Sequence, residues 1–249
     1  MSLLKIEEPT IEKEELKDEP PILGIDFGTT NSLIGIVVND EVRFFKGKDG
    51  GELHESVVVF DKDGLPRRDF AAPRNDGGDV AIKSIKRLLG KGFSDVADKL
   101  DQFDFEIVKD GEDGLKIKIG EKLWSAEEIA GMILGYLGDL AMSALQQTPR
   151  RFAPPLLKEG NLTEGAEEGS LKAVITVPAY FDEKAKNAVK MSAKLAGIEV
   201  VRLVNEPTSA ALAYGLENKK EGIYAVYDLG GGTFDVSILK MQKGVFRVL

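Results

Sequence analysis

One short pattern occurs twice in this chain and restricts its fold more than any other feature. Residues 225–238 read as an apolar strand ending at Asp228, a turn of three glycines, and a second apolar strand. Val236 and Ile238 resume the alternation after the turn, which predicts a β-hairpin rather than a strand-to-helix crossover. Gly230, Gly231 and Gly232 accept φ > 0 and let backbone N–H groups close on an anion. Alone, such a stretch is most often only a tight turn. Residues 23–37 repeat the design, with Asp26, Phe27 and Gly28 followed by Thr29, Thr30, Asn31 and Ser32, then a second apolar strand. The period is too long for a solenoid. It predicts two related halves facing each other, each presenting a phosphate loop.

Composition narrows what could lie between those halves. A formal net charge of -9 leaves no basic stripe for nucleic-acid binding. The chain has no cysteine and a single histidine, which excludes disulfides and thiolate metal sites and argues against Ser-His-Asp catalysis. The lack of cysteine also fits a reducing compartment, and a cytoplasmic location is expected. No apolar run reaches membrane-spanning length, so no membrane role is expected.

The first 21 residues are dense in Glu and Lys and end at Pro20–Pro21, which predicts a disordered acidic leader. Strands follow at 41–45 and 56–60. Asp79 is expected to open a helix running to Leu89, with Val80, Ile82, Ile85, Leu88 and Leu89 on its apolar side and Gly90 as its stop. Lys83, Lys86 and Arg87 lie off that side, as a solvated face or as one base reaching a phosphate. Residues 103–108 and 115–119 alternate as a hairpin with one wet face. Ser125 and Glu128 form a capping-box pattern ahead of a helix whose Gly131, Gly135 and Gly138 predict close packing on another element.

A loop over 146–170 leads to a buried strand at 171–178, a helix at 182–196, a strand at 199–204 and an Ala-rich helix started by Pro207. This order predicts an α/β fold with a mixed sheet. Asp26, Glu206 and Asp228 each fall at the end of an apolar strand, where ligand crevices of open α/β sheets form. Three acids and two glycine turns in one crevice suit a triphosphate with Mg²⁺. Neither G-x-x-x-x-G-K-[ST] nor a helix-opening G-x-G-x-x-G is present.

Four blocks carry a resemblance: residues 25–32, 176–181, 205–208 with 213–215, and 228–235. Together they resemble the nucleotide-binding domain of the DnaK-type (heat-shock seventy) chaperones over residues 22–249. Residues 3–9, 225–228 and 244–249 are similar to the branch that serves iron–sulfur cluster assembly, with a general protein-folding chaperone as the alternative. The resemblance implies an actin-like ATPase (ribonuclease H-like) fold, with lobe I over 22–217, a smaller outer subdomain near 56–124, and the start of lobe II over 218–249. It implies ATP hydrolysis to ADP and phosphate with Mg²⁺ and K⁺, a J-domain cochaperone, and an iron–sulfur scaffold protein as client.

By the same resemblance, Gly28, Thr29, Thr30 and Asn31 form one phosphate loop, and Gly230, Gly231, Gly232 and Thr233 the other. Asp26, Glu206 and Asp228 orient waters around Mg²⁺, Asp235 positions potassium or the attacking water, and Thr233 joins the catalytic group. Lys86 matches the catalytic lysine, Pro178 the switch proline, and Arg202 a cochaperone contact. Phe27 stands where leucine is usual, an expected packing change. Lys186 replaces an arginine, and lysine lacks the planar fork, so interdomain relay is expected to be tuned or weakened. The family's second lobe continues past residue 249. The chain is therefore expected to be a fragment that binds ATP weakly, with little or no turnover. A small-molecule kinase of the same superfold would lack the 177–181 and 205–208 blocks. A non-catalytic relative would not need the acids, threonines and Lys86 together.

Overall fold

In the computed structural model, which describes residues 21–67, 79–145, 171–215, 221–230 and 234–249, the first duplicated turn is a hairpin. β1 (Ile22–Asp26) and β2 (Asn31–Val38) pair antiparallel, with Asp26 opposite Leu33. Asn39 and Asp40 both take left-handed φ, 52° and 63°, and turn the chain into β3 (Glu41–Phe44). Asn and Asp tolerate that region, which a two-residue hairpin turn needs. β4 (His54–Glu55) pairs with the start of β2. On its other edge β1 meets β10 (Leu171–Val177) in parallel, and β10 meets β11 (Ile198–Asn205) in parallel. The order β11-β10-β1-β2-β3 is the expected mixed sheet.

β5 (Val57–Phe60) is buried at every position and pairs with β6 (Val80–Lys83). This corrects the helix expected over 79–89. The apolar spacing at Val80 and Ile82 serves strand pairing with Val58 and Phe60, and β-branched side chains fit that pleat. Ser84, at φ 57°, breaks the strand, and only one 3₁₀ turn follows, Ile85–Leu88. The expected hairpin begins later than 103, as β7 (Glu106–Asp110) with β8 (Gly114–Ile119), and gains a third strand, β9 (Lys122–Trp124).

α1 (Ala126–Ala144) carries the expected capping box: the Glu128 carboxylate accepts from the Ser125 N–H at 2.7 Å, and Ser125 Oγ accepts from the Glu128 N–H at 3.1 Å. Two of its three glycines, Gly131 and Gly138, pack closely on neighbouring elements. A Cβ on Gly131 would press on Ser192 and Leu195 of α2 (Glu183–Leu195), and one on Gly138 would press on Leu171 and Ile198. α2 is capped by Asp182, whose carboxylate accepts from the Ala185 N–H at 2.8 Å. One buried cluster runs from Leu23, Ile25 and Ile34 through Ile129 and Leu134 to Ile175 and Val189.

α3 (Glu206–Ala213) has Pro207 in its first turn. The second duplicated turn joins β12 (Gly222–Leu229) to β13 (Phe234–Gln242), and β14 (Val245–Val248) completes a separate antiparallel sheet. No strand was expected at β14. It follows a Lys243–Gly244 turn with both φ positive. The leader up to residue 20, the loop at 146–170, and Gly231, Gly232 and Thr233 lie outside the described residues.

Candidate functional site

β1, β10 and β11 run in one direction, so their C-terminal ends arrive at the same edge of the sheet. Asp26 closes β1, Pro178 follows β10, and Glu206 follows β11 as the first residue of α3. The second hairpin brings Asp228 and Asp235 directly opposite each other in its ladder. These ends enclose a cavity. Gly28, Thr29, Thr30 and Asn31 line it from the first turn, and Asp228, Gly230 and Asp235 line it from the second, with Asp26, Lys86, Pro178 and Glu206 between them. Eleven of the residues singled out in the sequence thus share one cavity lining.

Lys86 is the most constrained of them. It is 4% exposed and forms an ion pair with Glu206 at 2.5 Å. Its ammonium also donates to the Phe27 carbonyl and lies 5.6 Å from the centre of the Phe27 ring. Lysine is almost never buried without a counter-charge. The 3₁₀ turn puts Lys86 on its inner side and leaves Lys83 and Arg87 exposed, so the solvated-face alternative fails for Lys86 alone. Phe27 is fully buried and supplies the ring that the ammonium faces.

Burial pushes the Glu206 carboxyl up. The charge and hydrogen bond of Lys86 oppose that shift, and Asp26 and Asp228 add to it. Glu206 therefore feels both other acids. Among the described residues no three acids or imidazoles converge closely enough to ligate an ion directly. A cation that keeps most of its water shell suits such a spacing, as Mg²⁺ does. The residues fit a hydrated Mg²⁺ beside phosphates.

Gly28 must be glycine, because a Cβ there would overlap the Asn31 carbonyl oxygen. Several further residues hold the site; Thr176, Ser32 and Tyr180 fall in the four sequence blocks without a role of their own, and Ser56 lies outside them. Thr176 Oγ1 donates to Asp26 Oδ1 at 2.5 Å from the neighbouring strand. Ser56 and Ser32 are buried under the first turn. Tyr180, two residues after Pro178, lines the cavity, and burial raises its hydroxyl pKa, with further increases from Asp235 and Glu206 and an opposing effect of Arg87.

Two singled-out residues lie elsewhere. Lys186 pairs with Glu183 at 2.9 Å on α2, and Arg202 is exposed on β11, the edge strand of the sheet. Gly231, Gly232 and Thr233 are outside the described residues. No helix among the described residues is long and apolar enough to cross a membrane.

Comparison with known proteins agrees with this geometry. The family model described as Hsp70 protein matches residues 22–151 and 159–249. A protein named Chaperone protein HscA homolog from Polynucleobacter asymbioticus is 42% identical over the whole of this chain and 37% of its own length. Proteins of the same name from Rickettsia peacockii and Azoarcus sp. are each 41% identical over the whole chain, covering 37% and 36% of their lengths. The chain thus spans a little over a third of the length of these curated relatives.

Proposed function

The chain belongs to the Hsp70 family, and from that premise we propose that it is part of the ATPase domain of an HscA-like chaperone assisting iron–sulfur cluster assembly. The observation that carries this reading is the buried Lys86–Glu206 pair set between two acid-and-glycine turns. Phosphoryl transfer needs positioning and charge neutralisation more than covalent chemistry, and this cavity offers both. The turn at Gly28, Thr29, Thr30 and Asn31 holds one side of the nucleotide's phosphates, and the turn at Gly230 to Thr233 holds the other. Asp26, Glu206 and Asp228 accept hydrogen bonds from the waters of Mg²⁺, which when bound offsets charge on the phosphates. Lys86 places a cation where charge grows on the transferred group. Asp235 orients the attacking water or a K⁺ ion.

Pro178, buried at the cavity edge, is proposed to relay nucleotide state to a peptide-binding region, with Lys186 tuning that relay. Arg202 is proposed to meet a J-domain cochaperone, and an iron–sulfur scaffold protein is the proposed client in the cytoplasm. The relatives' printed HscA name supports the branch.

The test uses the complete gene product. It is expected to show K⁺-dependent ATP hydrolysis stimulated by a J-domain protein, and to bind an iron–sulfur scaffold protein. Lys86→Ala is expected to lower kcat by about 10²–10³ with nucleotide binding largely retained, as removal of one transition-state charge contact does. Unchanged turnover removes Lys86 from the chemistry. Absence of scaffold binding returns the branch to a general protein-folding chaperone.

A further inference from the structure

Beneath the first turn lies a buried hydrogen-bond chain that the roles above do not use. Ser56, just after β4, is 3% exposed, and its hydroxyl donates to the Gly28 carbonyl at 2.8 Å. Its backbone N–H donates to the Thr30 carbonyl, also at 2.8 Å. The Ser56 hydroxyl lies 2.8 Å from the Ser32 hydroxyl, which is 1% exposed. A serine hydroxyl has one proton. With that proton on Gly28, the Ser32 hydroxyl must donate to Ser56, and the direction of the whole chain is set.

We propose that Ser56, which lies outside both glycine turns, is a positioning residue for phosphate: it holds two carbonyls of the first turn on the buried side and so turns that loop's N–H groups towards the cavity. The reasoning is peptide geometry. In a trans peptide the C=O and the following N–H point in opposite directions. Fixing the Gly28 carbonyl inward therefore turns the Thr29 N–H outward, and fixing the Thr30 carbonyl does the same for the Asn31 N–H. Thr29 and Asn31 are both lining residues of the cavity. A loop that presents N–H groups in advance binds an anion without reorganising. The absence of a Cβ at Gly28 lets the Asn31 carbonyl fold close against the same segment.

The inference rests on the nucleotide reading above and is tested so that the two fail separately. Calorimetry on the complete gene product compares ADP with adenosine, which lacks phosphate, for wild type, Ser56→Ala and Ser32→Ala. Ser56→Ala removes the hydroxyl donor from the part-buried Gly28 carbonyl and leaves only the backbone bond to Thr30, so ADP affinity is expected to fall about tenfold or more while adenosine affinity changes less than about twofold. Ser32→Ala keeps the Ser56–Gly28 bond and is expected to give a smaller loss for ADP in the same direction. If Ser56→Ala does not fold, the ADP-selective loss in Ser32→Ala carries the test. Equal losses for the two ligands, or no loss for ADP in either folded variant, overturn the role of Ser56. Wild-type protein that binds neither ligand overturns the nucleotide reading, and this inference with it.

Discussion

Leu23, Ile25, Ile34 and Ile36 of the first hairpin are at most 3% exposed, whereas Ile223, Tyr227, Leu229 and Phe234 of the second are 59–80% exposed. The two hairpins share one sequence design, an apolar strand, an acid, a glycine turn and a returning strand. Their surroundings differ. The first is the centre of a mixed sheet, with α1 against β2, Ser56 below its turn and Thr176 beside its acid. The second belongs to a three-stranded sheet whose contacts outside itself, among the described residues, include α3. Its buried apolar residues are Leu239 and Met241, near the far end of β13. A shared pattern therefore specifies the hairpin, and neighbours specify how deeply its described strand residues are buried.

Substitutions in the two hairpins, and in α1 packed against the first, sharpen that contrast. The largest effect is expected from Ile25→Ala, which opens a cavity in the common core and should lower unfolding free energy by about 2–5 kcal/mol in urea titration. A loss below about 1 kcal/mol would break the contrast, because it would show that burying the first hairpin's strands adds little to stability. An intermediate effect is expected at Asp139 on α1, whose carboxyl burial pushes up to about 6. Its folded pKa lies above its unfolded one, so the folded state binds the proton more tightly. Stability is greatest below the ordinary carboxylate range and falls as pH rises through it to about 6. Asp139→Asn is expected to raise Tm by a few degrees above pH 7 and to leave it unchanged at pH 3, read by thermal melts at both. The smallest effect is expected from Ile223→Thr in the second hairpin, within about 0.5 kcal/mol by the same titration.

Much of this arrangement was legible in the chain itself. The hairpins at Asp26 and Asp228 have period-two apolar residues and glycine turns, a local signal that survives into the fold. The strands at 171–178 and 199–204, with a capped helix between them, likewise specified the parallel half of the sheet. Legibility ended where a residue's role depends on a distant partner. Val80 and Ile82 suit a helix face or a strand, and only pairing with β5 decides for the strand. That pairing sets Lys86 on a buried turn. Its partner Glu206 is 120 residues away in sequence. Thr176 is one hydroxyl in an apolar strand, and its link to Asp26 spans 150 residues. Ser56 is polar at the head of a buried strand, and its task depends on a loop 28 residues earlier.

The parallel pairing of β1 with β10 has a consequence for the chain as it is made. Ile25 must wait for Ile175, its partner in the register, and at a synthesis rate of ~5–20 residues per second that interval is about 8–30 s. Until then one edge of β1 has no partner strand, although β2 can already close on the other. An apolar strand with a bare edge invites pairing with the wrong chain. The acid that closes β1 is thus made 150 residues ahead of the hydroxyl that orients it. A protein proposed to attend the assembly of others passes through its own interval of exposure before its site exists.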